Sequence, residues 1–111
     1  MGLLPATIST VSITTSPTNI DSTGYYYHHI TVFITSTIGV SDIYTIDVYI
    51  YNPVAGTWVW RETDQIDFTS SESNTKKAWE INPHPGNGLR VVLTKVAGAN
   101  GTADYEIVKA A

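Results

Sequence analysis

The sequence predicts an all-β protein, an antiparallel β-sandwich of about eight strands with jelly-roll or immunoglobulin-like architecture. Three observations lead to this prediction. The residues from Thr7 to Lys109 are mostly Thr, Ile, Val, Tyr and Trp in alternating runs, and such side chains suit a pleated, half-buried surface. Clusters of Gly, Pro, Asn and Ser interrupt these runs at spacings of roughly 8–14 residues. No segment shows the apolar spacing of a helix.

Length and composition narrow the class of protein. The chain has 111 residues, and we expect an N-terminal arm at 1–6 followed by a single domain at 7–111. A core of this size is stable without cross-links, and the absence of cysteine excludes disulfides and Cys-ligated zinc. The formal net charge of -4 and the lack of a basic stripe argue against nucleic-acid partners. No stretch approaches the ~20 apolar residues of a membrane helix, so we expect no membrane partner.

The strands are placed by the alternation and by the turn residues. They are predicted at 7–15, 25–38, 42–51, 57–63, 65–69, 78–82, 89–96 and 102–109. A bulge is expected near Ser9-Thr10, because Ile8 and Val11 have opposite parity. The segments 17–24 and 83–88 are predicted to be loops, the second one stiffened by two prolines. Asn100-Gly101 favours a closing hairpin between the last two strands.

Core positions follow from the parity of each strand. The longest predicted strand and the next one direct the following side chains inward: Tyr26, His28, Ile30, Val32, Ile34, Ile38, Tyr44, Ile46, Val48 and Ile50. The later strands contribute Ile66, Phe68, Trp79, Ile81, Leu89, Val91, Leu93, Ala103, Tyr105 and Ile107. A slip of one residue would exchange the two faces, so the register is strongly specified.

The opposite parity of the same two strands directs aromatic side chains outward. If those strands are neighbours, their rings form one contiguous patch, and exposed apolar patches usually mark a contact surface. Tyr and Trp are enriched at protein interfaces and their rings also stack on sugars; cover by the protein's own arm is a third interpretation. We assign partner binding to the apolar residues of the arm, these rings and one tryptophan: Leu3, Leu4, Tyr25, Tyr27, Phe33, Tyr49, Tyr51 and Trp58.

Catalytic and metal-binding patterns are weak in this chain. His28 and His29 are adjacent in a strand and therefore point to opposite faces, while His84 lies in a predicted turn. Three ligands for a metal are not expected to converge from these positions. The sequence lacks the Gly-x-Ser-x-Gly and His-Glu-x-x-His patterns, and a solvated strand end explains Asp64 and Asp67. We predict no catalytic residue, no metal and no cofactor, and a protein that is not an enzyme.

The stretch 88–107 resembles the last hairpin of small β-sandwich proteins of tailed bacteriophages. The likeness consists of a strand ending in Thr94-Lys95, a Gly-containing turn, Asn100-Gly101-Thr102 and an aromatic strand, and it covers under a fifth of the chain. That group includes capsid decoration (cement) proteins, which clamp neighbouring shell subunits as multimers. The resemblance implies a structural protein of the virion, assembled in the host cytoplasm. Its implied partners are the major capsid protein or other virion subunits, and its implied state is homo-oligomeric or multimeric.

Two alternatives of a different kind stay open. A carbohydrate-binding or adhesin module would use Trp58, Trp60 and the outward tyrosines as a stacking platform. A pilus-like subunit would be completed by a neighbour's strand, with the first predicted strand at 7–15 as the donated element.

Overall fold

The computed structural model describes residues 2–35, 42–67 and 78–111. The strands are β1 (Thr7–Ile13), β2 (Thr18–Ile34), β3 (Ile43–Asn52), β4 (Thr57–Asp67), β5 (Ala78–Ala97) and β6 (Gly101–Ala110). All pairs are antiparallel and form one sheet in the order β1-β6-β2-β5-β3-β4. The described residues include no helix, and the predicted all-β class is confirmed.

β2 and β5 are long enough to belong to two layers. Residues 18–23 of β2 pair with 88–93 of β5, and after a shift in register residues 26–33 pair with 78–86. The first layer therefore contains β1, β6, the second part of β2 and the first part of β5. The second layer contains the first part of β2, the second part of β5, β3 and β4.

This division reproduces the predicted sandwich and decides its topology. Numbered along the chain as eight segments, the layers have the orders 1-8-3-6 and 2-7-4-5. These orders are those of a jelly roll built from two Greek keys, so the immunoglobulin-like alternative is not adopted.

The core lies between the layers. Ile30 and Val32 from the first layer and Ile46 and Val91 from the second are all 0% exposed and belong to one cluster. A single sheet cannot cover its own inner face to that extent, so each layer covers the other. Each large aliphatic side chain buried in this way contributes about 1.5–3 kcal/mol. The predicted inward parity is confirmed for the predicted core residues that are buried in this cluster, whereas Tyr26, Ile50 and Tyr105 are only half-buried. Ile38 and Phe68 lie outside the described residues.

Two predicted loops are strands, for identifiable physical reasons. The segment 17–24 looked polar, but Ile20 and Ser22 alternate into the interior while their neighbours face solvent. The segment 83–88 continues β5 through two prolines. Proline is tolerated there because this part of β5 is an edge of the first layer and one side of its backbone has no ladder partner among the described strands. The predicted strand at 57–63 and the described part of the one at 65–69 form a single strand, β4, which is described from Thr57 to Asp67.

The predicted bulge in the first strand is wrong. β1 pairs with β6 without interruption from Thr7 opposite Ile107 to Ile13 opposite Gly101. Ile8 differs in parity from Val11 because Ile8 faces solvent, with 72% of its surface exposed, and not because the strand is interrupted.

The predicted closing hairpin is also wrong. β5 pairs with β2 and β3, whereas β6 pairs with β1 and β2, so the connection crosses from one layer to the other. In this connection Gly98 takes the left-handed conformation, with φ of 82°. Two inner residues hold this connection: Asp42 Oδ1 accepts from the Ala99 N–H at 2.9 Å, and the Tyr44 hydroxyl donates to the Ala99 carbonyl at 3.1 Å.

Candidate functional site: two separate outer faces

The structure divides the predicted partner-binding residues between opposite faces of the sandwich. β5 lies between β2 and β3, so the two strands are not neighbours and their rings do not form one contiguous patch. Tyr27 and Phe33 lie on the outer side of the first layer, whereas Tyr49 and Tyr51 lie on the outer side of the second. Tyr25 lies in the register shift of β2 between the two layers and is 79% exposed. We call the outer side of the first layer around Leu3 and Tyr27 the arm face.

The arm lies along the sheet next to β6. Leu3 forms a bridge with Ala110, and the Leu4 N–H donates to the Lys109 carbonyl at 2.9 Å. On its other side Ala110 pairs with Tyr27. Directly opposed residues in a ladder point to the same side, so Leu3, Ala110 and Tyr27 form one row across the arm face.

This row is open to solvent. Leu3 is 75% exposed and Tyr27 47%, whereas Leu4, the next residue of the arm, is half-buried. The arm therefore lies beside the rings and does not cover them. Its backbone hydrogen bonds hold the exposed Leu3 side chain in a fixed place relative to Tyr27.

Along the arm face, from Tyr27 towards Phe33, the side chains change from apolar to acidic. Glu106, Asp104 and Glu80 lie on the outer parity of β6 and β5, close to Thr31 and Phe33 in the register. The Thr10 hydroxyl donates to Asp104 at 2.6 Å, and His29 Nε2 lies 3.2 Å from Glu80 Oε2. A partner that matches this face would offer apolar groups at one end and basic or hydrogen-bond-donating groups at the other.

The outer side of the second layer carries an aromatic surface around Trp58. Trp58 is paired with Tyr51, and their rings meet edge to face with centroids 5.2 Å apart. The Trp58 ring lies over Gly88, where an added Cβ would stand only 2.8 Å from the indole Cη2. Because Gly88 has no side chain, the ring can lie close to the sheet. We call Trp58, Tyr51, Arg90 and Gly88 the tryptophan platform.

The guanidinium of Arg90 is fixed over the Trp58 ring. Its Cζ is 4.4 Å from the Trp58 ring centroid, within the range of a cation–π contact. Its Nε and Nη2 donate to the two carboxylate oxygens of Asp21 at 2.7 and 2.9 Å. These hydrogen bonds raise the pKa of the Arg90 guanidinium, so the group is charged. The sequence did not reveal Arg90 or Asp21, because their place beside Trp58 depends on strand pairing.

Trp60 extends the aromatic surface along β4. It is 57% exposed, and its Nε1 donates to the Thr63 hydroxyl at 3.0 Å. The Thr63 hydroxyl in turn donates to Asp47 Oδ1. The second layer therefore presents tryptophan rings bordered by a charged donor and by carboxylate acceptors, a combination that suits a partner with both flat apolar and polar groups.

His28 is buried and serves the fold. It is 0% exposed, its Nδ1 lies 2.6 Å from the Ser22 hydroxyl, and its Nε2 lies 2.9 and 3.0 Å from the carbonyls of Gly24 and Gly86. Because carbonyls only accept, Nε2 carries a proton and donates to them, and the Ser22 hydroxyl forms the hydrogen bond with Nδ1. The two glycines have φ of 96° and 153° and lie where β2 and β5 pass between layers. His28 thus joins the two crossing strands, and the hydrogen bonds of its ring in the described part of the chain go to the Ser22 hydroxyl and to two backbone carbonyls.

Other polar groups considered from the sequence also have structural partners. Asp64 on β4 accepts from Trp79 Nε1 on β5 at 2.9 Å, which links the layers. His29 lies on the opposite face from His28, as predicted, while the side chains of Asp67 and His84 lie outside the described residues. Within 2–35, 42–67 and 78–111, no group of three His, Cys, Asp or Glu could hold a metal ion. The same ranges contain no helix long and apolar enough to span a membrane.

Comparison with known proteins identifies the fold. No protein-family model and no curated protein sequence matches the chain. The Yersinia pseudotuberculosis-derived mitogen is similar in structure, with a TM-score of 0.56 and 12% identity over 93% of this chain and 84% of that one. PirA is similar with a TM-score of 0.53 and 13% identity over 95% of this chain and 93% of that one. At these identities the likeness concerns the fold alone, and fold does not determine function.

Proposed function

We propose that this protein is a non-enzymatic structural protein of a viral particle, of the capsid decoration type, which attaches to neighbouring subunits through the arm face. The observation that supports the proposal best is the row formed by Leu3, Ala110 and Tyr27. It joins the arm and an outward ring into one exposed apolar surface. The resemblance of 88–107 to phage β-sandwich proteins is a second, independent support.

The small apolar area of the row favours attachment of many copies to one particle over attachment of a single copy. Burial of apolar surface contributes roughly 25 cal/mol per Å², so burying a side chain such as Leu3 contributes about 1.5–3 kcal/mol. The backbone of the row is already ordered by hydrogen bonds to β6, which lowers the entropy lost on contact. One such contact is weak. Many copies on a repetitive shell would raise the overall affinity far above that of a single contact.

The test is co-sedimentation with viral particles. Purified protein is mixed with density-purified particles from the source lysate, and bound protein is quantified after pelleting. Leu3→Ser combined with Tyr27→Ser is expected to lower the bound fraction roughly tenfold or more. The control is Val54→Ser, which removes an apolar side chain that is 97% exposed in the turn between β3 and β4. Equal binding of wild type and the double variant, or no binding of either, would reject the proposal.

Carbohydrate binding is a second candidate function, favoured by the tryptophan platform. The Trp58 ring lies close to Gly88 with the Arg90 guanidinium over it, and Asp21 fixes Arg90 by two hydrogen bonds. Such a surface can stack on the apolar face of a sugar while the charged groups bind its hydroxyls. The platform lies on the opposite side from the arm face, so the two functions are compatible in one protein.

Gly88→Ala tests this second candidate selectively. The new methyl group would displace the Trp58 ring, since the nearest ring atom is 2.8 Å away, while the backbone at Gly88 needs no left-handed conformation. Binding to a glycan array, followed by titration of tryptophan fluorescence with the strongest glycan, measures the effect. We expect loss of binding with Gly88→Ala and Trp58→Ala and no change with Phe33→Ala on the opposite face. An array without any bound glycan would exclude this function and leave the first proposal untouched.

A further inference from the structure

We propose that the free edge of β1 is a self-association site, where β1 of a second copy of this chain adds an antiparallel strand to the first layer. This inference does not depend on the proposed function. β1 is the outermost strand of the sheet. It pairs with β6 along its whole length from Thr7 to Ile13, and no other strand in the described part of the chain pairs with it.

β1 lacks the features by which proteins keep edge strands from pairing. Such features are charged side chains, prolines and bulges. Between Thr7 and Ile13 the residues are only Thr, Ser, Ile and Val. The register with β6 is uninterrupted, and the first charged side chain in the sequence is Asp21. The edge is therefore flat, uncharged and able to accept another strand.

The other edges of the two layers carry these features. β4 contains Arg61, Glu62 and Asp64, and its pairing with β3 is shifted at one point. The edge part of β5 contains Glu80 and two prolines. The edge part of β2 is short and contains Asp21, which is paired with Arg90. The absence of protection is thus particular to β1 among the described edges.

A second copy of β1 is the occupant that fits this edge. Pairing two identical uncharged strands creates no charge repulsion and dehydrates no ion, whereas pairing with any of the other described edges would bring a charged strand against it. The Ser12 carbonyl already accepts from the Thr18 hydroxyl at 3.0 Å, which leaves 7–11 as the free stretch. Antiparallel pairing about a twofold axis at Ser9 would place Ile8, now 72% exposed, opposite Thr10 of the second copy.

The length of the free stretch of β1 limits the expected affinity of self-association. A contact of about five residues is smaller than the interface of a permanent dimer, so association should depend on protein concentration. A shell or a crowded surface would supply such a concentration, although the inference holds equally for the isolated protein.

Sedimentation equilibrium of the wild type and an Ile8→Lys variant tests the site. The wild type should rise from the 12.1 kDa monomer towards twice that mass as concentration increases. Ile8→Lys should weaken association at least tenfold, because each new ammonium would face Thr10 of the other copy and the two ammonium groups would lie diagonally across the shared edge on the same face. Within the monomer the new ammonium lies opposite Glu106, so the fold is retained. Val54→Lys, in the exposed turn between β3 and β4, is the matched control and should associate like the wild type.

Cross-linking provides a second readout that does not depend on affinity. The chain contains no cysteine, so Ser9→Cys introduces a single thiol. At a twofold axis its two copies lie within the distance that a disulfide spans, and mild oxidation should produce a covalent dimer. Val54→Cys should not cross-link at the same protein concentration. A wild type that is monomeric up to millimolar concentration, or a dimer that persists in Ile8→Lys and is not trapped by Ser9→Cys, would overturn the proposal.

Discussion

Replacing His28 by Leu tests whether the crossing of β2 and β5 depends on the hydrogen bonds of this side chain. His28 is 0% exposed and contacts the Ser22 hydroxyl at 2.6 Å and the carbonyls of Gly24 and Gly86 at 2.9 and 3.0 Å. Leu has a similar size but no polar atom. The variant would leave the buried Ser22 hydroxyl and the two carbonyls without this partner.

The expected loss of stability follows from these contacts. A buried polar group left without its partner costs about 1–3 kcal/mol. With partial compensation from the apolar Leu side chain, we expect His28→Leu to lower the free energy of unfolding by about 2–5 kcal/mol. The free energy of unfolding of a domain of this size is about 5–15 kcal/mol in total, so this loss is a large fraction of it. The melting temperature should therefore fall by about 10 °C or more.

Urea unfolding followed by tryptophan fluorescence measures the change, and His29→Leu is the matched control. His29 lies on the opposite face, and its contact with Glu80 involves side chains that are 28% and 61% exposed. Such surface pairs contribute about 0–1 kcal/mol. If the two histidine variants lose the same stability to within about 0.5 kcal/mol, the reasoning is refuted.

A double-mutant cycle with Ser22→Ala isolates the bond between Ser22 and His28. Removing both groups should be less destabilising than the sum of the single changes, because the second replacement no longer leaves a partner unsatisfied. We expect a coupling energy of about 0.5–3 kcal/mol. Additive effects would show that the 2.6 Å contact does not contribute to stability.

Three further changes test the packing by urea unfolding. Leu93→Ala, at a position with 0% exposure, should lower the free energy of unfolding by about 2–5 kcal/mol, whereas Val54→Ala, at 97% exposure, should leave it unchanged. Gly24→Ala should lower it by about 1–3 kcal/mol, because φ is 96° and the new Cβ would lie 2.6 Å from the Tyr26 ring. Trp79→Phe keeps an aromatic ring in the core but removes the donor to Asp64 at 2.9 Å, for an expected loss of about 1–2 kcal/mol. A Trp79→Phe variant as stable as the wild type would show that this link between the layers is dispensable.

The sequence was sufficient for the fold class and for most of the core. Alternation in β2 and β3 assigned Ile30, Val32, Ile46 and Val48 to the interior, because burial of one face leaves a period of two in the side chains. The same alternation did not reveal the first part of β2, since only Ile20 is apolar there. In β5 the prolines indicated a turn, although an edge strand tolerates them.

The candidate site was harder to predict from the sequence, because its composition depends on which strands are neighbours in the sheet. Tyr27 and Tyr49 have the same outward parity in consecutive strands, yet β5 separates those strands and the two rings lie on opposite faces. Strand order arises from long-range pairing, which local residue patterns do not encode. For the same reason the arm could be predicted to be apolar, but its position beside Ala110 could not.

The pairing of β1 with β6 has a consequence for synthesis on the ribosome. Thr10 and Asp104, which face each other in this ladder, are 94 positions apart in the chain. At roughly 5–20 residues per second, β1 emerges about 5–20 s before its only described partner strand has been made. During that interval both hydrogen-bonding edges of the uncharged strand β1 lack a partner from β6 and can pair with another chain. Nascent chains on one messenger would therefore be at greatest risk of joining one another at this strand.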